Sequence, residues 1–121
     1  MPVQINQEVV NDAAKLMLHR LIARAVTRDP SLVEAAKAAH ARIAGRYPKH
    51  DFVREWSELL RLQPHELRRH LTSRDPDMYR LRLSSPFFLT ADMDFTDENI
   101  RRRIRRAATR VVQRGARRPV A

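Results

Sequence analysis

The sequence predicts an all-α fold: a single compact bundle of about five to six helices, closed by an arginine-rich helix near the C-terminus. Three observations carry this expectation. Only two glycines occur in 121 residues. No sustained apolar–polar alternation appears, and apolar residues recur instead at three- and four-residue spacing in segments set off by prolines. A chain this long supports one modest core and not two. Residues 1–95 are therefore read as the helical bundle and 96–121 as the Arg-rich C-terminal helix and tail.

The elements follow in order. Val3 to Asn6 alternates as a short strand would, as at the start of a ribbon-helix-helix dimer. The long helix that follows argues instead for an irregular lead-in, with Asn6 as a cap. Gln7 to about Thr27 reads as one helix, with Val10, Ala14, Met17, Leu21 and Ala25 at helical spacing and Val9, Ala13, Leu16, Leu18 and Ile22 widening its apolar surface. Such a two-sided helix is expected at the centre of the bundle, with burial against a second subunit, a homo-oligomer, as the alternative. Asp29-Pro30 signals the next start. That helix should bury Leu32, Ala36, Ala39 and Ile43, pack tightly on the first, and stop at a left-handed Gly45. Asp51 is expected to cap a third helix with Phe52, Trp56, Leu59 and Leu60 inward. Pro64 opens a fourth, with Leu67 and Leu71 inward. Pro76, after the candidate caps Ser73 and Asp75, opens a fifth, carrying Met78, Leu81, Tyr79 and Leu83. Phe87, Phe88, Leu89, Met93 and Phe95 are too apolar for a free linker and should lie against the bundle. Thr96 should cap the last helix, whose seam is Ile100, Ile104, Ala107, Ala108 and Val111, with Gly115 closing it.

Charge divides the chain unevenly. The net charge is +10, yet the segment from Thr96 onward holds nine arginines against Asp97 and Glu98 and so carries +7 of it. A balanced body with a cationic appendage is the expected organisation. Arg101, Arg102, Arg103, Arg105, Arg106, Arg110, Arg114, Arg117 and Arg118 are the candidate binding residues, for nucleic acid or for an acidic protein surface such as a toxin. Guanidinium groups pair bidentately with phosphate or carboxylate, and each phosphate neutralised releases condensed counterions. The bland alternatives are a solvated amphipathic helix and arginine-rich codon usage.

Other chemistry is poorly supported. The chain has no cysteine, which excludes disulfides and thiolate ligands and fits a reducing cytoplasm. His65 and His70 fall on different faces of a helix, and no carboxylate completes a ligand set near His19, His40 or His50. No Gly-flanked Ser, phosphate-cradling loop or spaced carboxylate pair suggests catalysis. No metal, no cofactor and no enzymatic activity are expected. The helices around Gln63-Pro64 match a helix-turn-helix in spacing, with His65, Glu66, Arg68 and Arg69 as base readers; Gln113 is a lone further candidate. No apolar run approaches the ~20 residues of a membrane span, and Met1 to Asn6 lacks the regions of a signal peptide. A cytoplasmic location away from membranes is expected.

The pattern Trp56-x-x-Leu59-Leu60, Leu67, Leu71, then Leu81-Arg82-x-Ser84-Ser85-Pro86-Phe87 resembles a segment of uncharacterised small helical bacterial proteins encoded beside toxin genes. It covers Phe52 to Phe88, and its Ser-Pro-Phe end is the most specific part. The resemblance implies an antitoxin-like or accessory binding role and brings no assigned site residues. The leading expectation is therefore a non-enzymatic binding protein of the antitoxin or regulator type, whose helical body holds a protein partner. The alternatives are a plasmid or phage DNA-binding factor without a toxin, and a structural subunit of a larger assembly.

Overall fold

The computed structural model describes residues 6–89 and 98–117, which form six α-helices and two short 3₁₀ turns, with no strand among them. Val3 to Ile5, Met93, Phe95 and the expected cap Thr96 lie outside the described residues. No helix among the described residues is long and apolar enough to cross a membrane.

Helix α1 spans Gln7–Arg28. Asn6 caps it as expected, its Oδ1 accepting the Glu8 N–H at 2.9 Å, which satisfies one of the orphan donors of the first turn. The helix is central: it packs on helices α2, α4, α5 and α6 and on the first 3₁₀ turn. Its apolar surface is thus occupied on two sides within one chain. Of the expected stripe only Val10 is fully buried, and the buried line runs on through Leu16, His19, Ile22, Ala23 and Val26. Two neighbours cause the shift. The N-terminal half lies beneath α6, while Ile22 and Val26 enter the main core.

Helix α2 spans Ser31–Arg46. Asp29 Oδ1 accepts the Ser31 backbone N–H at 3.1 Å, so Asp29 caps the start from two residues away. Leu32, Ala36 and Ala39 are buried, but His40 rather than Ile43 completes the face. The His40 ring bonds through Nε2 to the Val53 carbonyl at 2.8 Å and lies 3.0 Å from the Ser57 hydroxyl. These bonds tie α2 to α3, and α2 rests mainly on α3 and the second 3₁₀ turn rather than on α1. The expected left-handed glycine stop is absent. No described glycine has positive φ, and α2 runs through Gly45 to end at Arg46. Pro48 is the physical cause, because it disfavours helical geometry at Tyr47, which sits at φ −130°, ψ 60°.

Helix α3, Asp51–Leu60, begins at Asp51 rather than being capped by it, and that carboxylate instead sits in the first turn, favoured by the helix dipole. Helices α4, Pro64–Leu71, and α5, Pro76–Leu81, each start at their proline. There the missing N–H is an orphan donor in any case. Trp56, Leu67, Leu71 and Phe87 are wholly buried and meet Leu59, Leu60, Met78 and Leu81 in one core.

The 3₁₀ turns, Arg82–Ser84 and Pro86–Leu89, close this core with polar atoms. Trp56 Nε1 donates to the Leu81 carbonyl at 3.0 Å and lies 3.3 Å from Ser84 Oγ, while Phe87 stands edge-on to the indole at 6.4 Å. Leu83, expected inward, is 65% exposed, and Arg82 is wholly buried in its place. Helical phase explains the exchange. Arg82 lies four residues after Met78, on the buried face, and Leu83, five after it, turns away.

Helix α6 spans Glu98–Arg117 and packs on α1. Ile104 and Ala108 are buried, Ile100 and Ala107 half-buried. Val111 departs from the expected seam at 51% exposed. Gly115 does not close the helix, which continues to Arg117.

Candidate functional site

Helix α6 is built to show charge. Its residues are mostly Arg and Ala, both strong helix formers, and Glu98 sits in the first turn where the dipole favours an acid. Only a narrow strip is apolar. Ala108, wholly buried, lets the helix approach α1 closely. One arginine fastens the contact: Arg105 donates to Asn11 Oδ1 and Gln7 Oε1 on α1, each at 2.8 Å. Arg102 pairs with Glu98 at 3.1 Å in an exposed i, i+4 bridge, worth about 0.3–0.5 kcal/mol.

The remaining arginines are uncommitted. Arg101, Arg103, Arg106, Arg110 and Arg114 are exposed and have no ion-pair or hydrogen-bond partner among the described residues. Arg117 ends the helix, its side chain outside the described set, as is Arg118 altogether. Eight of the nine predicted residues thus share one docked helix, seven of them with side chains that are described. Arg102, Arg106, Arg110 and Arg114 recur at four-residue spacing, each step rising about 6 Å along the axis. Arg102, Arg105, Arg106, Thr109 and Arg110 together line a shallow concavity. Like charges at this spacing repel by about 0.2–0.5 kcal/mol per pair in the free protein. An anion laid along the row relieves that repulsion. Gln113 is half-buried.

A groove flanks α6 on each side. One, of about 590 Å³, is lined by Val9, Leu16, Met17, Asp12, Arg20, Arg74, Tyr79 and Val111 among others. The second, of about 340 Å³, lies between α1, the 3₁₀ turns and α6. In α4, the candidate base readers His65, Glu66 and Arg69 are exposed and Arg68 is half-buried.

Sequence reasoning missed a buried polar cluster beside the Arg helix. Arg82 Nε and Nη2 donate to the Leu71 carbonyl at 3.2 and 3.0 Å, and Nη2 also donates to the Ser73 carbonyl. The guanidinium lies 5.1 Å from the Tyr79 ring centre. It satisfies carbonyls left open at the end of α4, and Nη1 is buried without a partner. Burial lowers its pKa, far from enough to discharge an arginine. His19 Nδ1 lies 2.7 Å from the Lys15 carbonyl, which can only accept, so Nδ1 carries the proton and Nε2 accepts from Ser85 Oγ at 2.9 Å. Burial, reinforced by the charges of Arg82 and Lys15, lowers the His19 pKa to about 4, against the backbone bond that raises it. The hydroxyl–imidazole pair has the distance of a nucleophile and its base, but Ser85 is 3% and His19 0% exposed. It works as a clasp between α1 and the 3₁₀ turns. No pattern in the sequence separates Arg82 from the other arginines except its helical phase.

Comparison with protein families, with curated proteins and with solved structures returns no match.

Proposed function

We propose that this is a non-enzymatic binding protein of the antitoxin or regulator type, and that the outer face of α6 binds the phosphate backbone of nucleic acid. The observation that supports this reading is the row Arg102, Arg106, Arg110 and Arg114, exposed along a helix that is docked by its opposite side. Docking matters because a fixed helix presents its charges without a further ordering cost on binding. No acidic side chain among the described residues after Glu98 offsets the row. Sequence-independent contact is the expected mode, since arginine on phosphate positions a protein without reading bases.

The test is duplex binding by fluorescence anisotropy across a salt series. The full chain should bind at low salt, with log K falling against log salt at a slope of about −0.9 per phosphate contacted. Replacing Arg102, Arg106, Arg110 and Arg114 by alanine should flatten that slope by about 3.6 and leave helical content unchanged. A slope equal to that of the unaltered protein would overturn the assignment. An acidic protein partner is the second reading, favoured by the apolar grooves beside α6, which phosphate contact alone does not explain.

A further inference from the structure

The two grooves differ in sign. The larger one carries Asp12 together with Arg20 and Arg74, a mixed rim that selects no charge. The smaller one is lined by Asn11, Lys15, Arg101 and Arg105, with no acid, around a floor of Ala14, Leu18, Leu83, Phe88 and Ile104. Its cations come from two helices. Lys15 belongs to α1, while Arg101 and Arg105 belong to α6, with Arg105 held at the edge by its bonds to Gln7 and Asn11. The floor is wet in the free protein at Leu83, a large apolar side chain left 65% exposed. Phe88 is half-buried and braced edge-on against His19 at 5.0 Å. A volume of about 340 Å³ is at the small end of ligand-sized clefts and matches apolar anchors rather than a whole ligand.

We propose that this groove is the docking site for a protein partner's acidic amphipathic segment, one that seats large apolar side chains against Leu18, Leu83 and Phe88 and sets carboxylates against Lys15, Arg101 and Arg105. The inference rests on the reading of the chain as a binding protein and specifies the surface its body offers. The apolar floor decides the class of partner. A nucleic-acid backbone satisfies the cations but leaves Leu83 and Phe88 in water, whereas a helix or strand with alternate acidic and apolar faces satisfies both, as in other groove-bound peptides.

The experiment uses the full chain and a fluorescein-labelled amphipathic peptide bearing a Leu/Phe stripe flanked by Glu, with a scrambled peptide of the same composition as control. The stripe peptide should bind at least tenfold more tightly than the scrambled one. Leu83→Asp and Lys15→Glu, both outside the α6 outer face, should each weaken it several-fold while duplex binding stays within twofold. Arg106→Ala with Arg110→Ala should do the reverse, so that loss of the peptide site and loss of the nucleic-acid site read out separately. Equal binding of the two peptides, or peptide binding indifferent to Leu83→Asp, would overturn the proposal. So would binding that appears only after Asp92, Asp94 and Asp97 are replaced by Asn, because that result assigns the groove to the chain's own acidic stretch.

Discussion

Arg82 and the arginines of α6 are the same side chain put to opposite uses. Arg82 is wholly buried and spends its donors on the carbonyls of Leu71 and Ser73. Arg106 and Arg110 are exposed and have no partner among the described residues. Removing the first leaves buried carbonyls unpaired; removing the others relieves repulsion. Environment, not residue type, therefore separates an arginine that holds the fold from one left open to solvent. The same contrast holds for the grooves beside α6, where a single Asp12 separates a surface of no preference from one that is wholly cationic.

The contrast is sharpest in stability. Trp56→Ala should cost about 3–5 kcal/mol in urea unfolding, because it empties the centre of the core and strips the Leu81 carbonyl of a donor. Arg82→Met should cost about 3 kcal/mol, since each orphaned buried acceptor costs about 1–3 kcal/mol. An Arg82→Met protein as stable as the original would break the comparison at its root.

Acid should act on the buried side through His19. The His19 pKa is lowered in the folded protein to about 4 from the ordinary 6.5, so folding favours the neutral ring. That stability is fully present above pH 6.5 and is lost as pH falls toward 4, a span equivalent to roughly 3 kcal/mol. His19→Gln should flatten the stability–pH curve between those limits. A curve unchanged by the substitution would remove His19 from the clasp.

On the exposed side, Arg106→Ala with Arg110→Ala should change unfolding free energy by no more than about 0.5 kcal/mol. It should also take about 1.8 from the salt slope of duplex binding.

The smallest effects concern glycine. Gly45 and Gly115 lie within helices with negative φ, and nothing stands within 4 Å of a Cβ added at either. Each Gly→Ala change should therefore stabilise the protein by about 0.5–1 kcal/mol. Destabilisation would restore the left-handed stop that the sequence suggested.

Those glycines show where sequence reasoning stopped. The helices and their starts at Gln7, Pro64 and Pro76 were legible, because caps, prolines and apolar period act locally. The Arg face of α6 was legible for the same reason. Termination was misread at Gly45 because a glycine permits a left-handed residue without requiring one, and Pro48 supplied the actual stop. Leu83 is exposed and Arg82 buried because helical phase, not hydrophobicity, decides which side chain turns inward at the end of α5. The clasp of His19 with Ser85, 66 residues apart, and the seating of Arg82 on α4 depend on which elements meet in space. No local pattern carries that information. Val111 falls at helical spacing with the seam, yet among the described residues α6 packs chiefly on α1, and Val111 lies on the rim of the larger groove rather than beneath that contact.

Arginine modification by phenylglyoxal, read residue by residue by mass spectrometry with and without saturating duplex DNA, probes the buried and the exposed arginines in one experiment. Arg102, Arg106, Arg110 and Arg114 should react in the free protein and be protected by DNA, while Arg82 should be unreactive in both. Equal modification of the α6 row in the free and DNA-bound protein would contradict phosphate binding by α6.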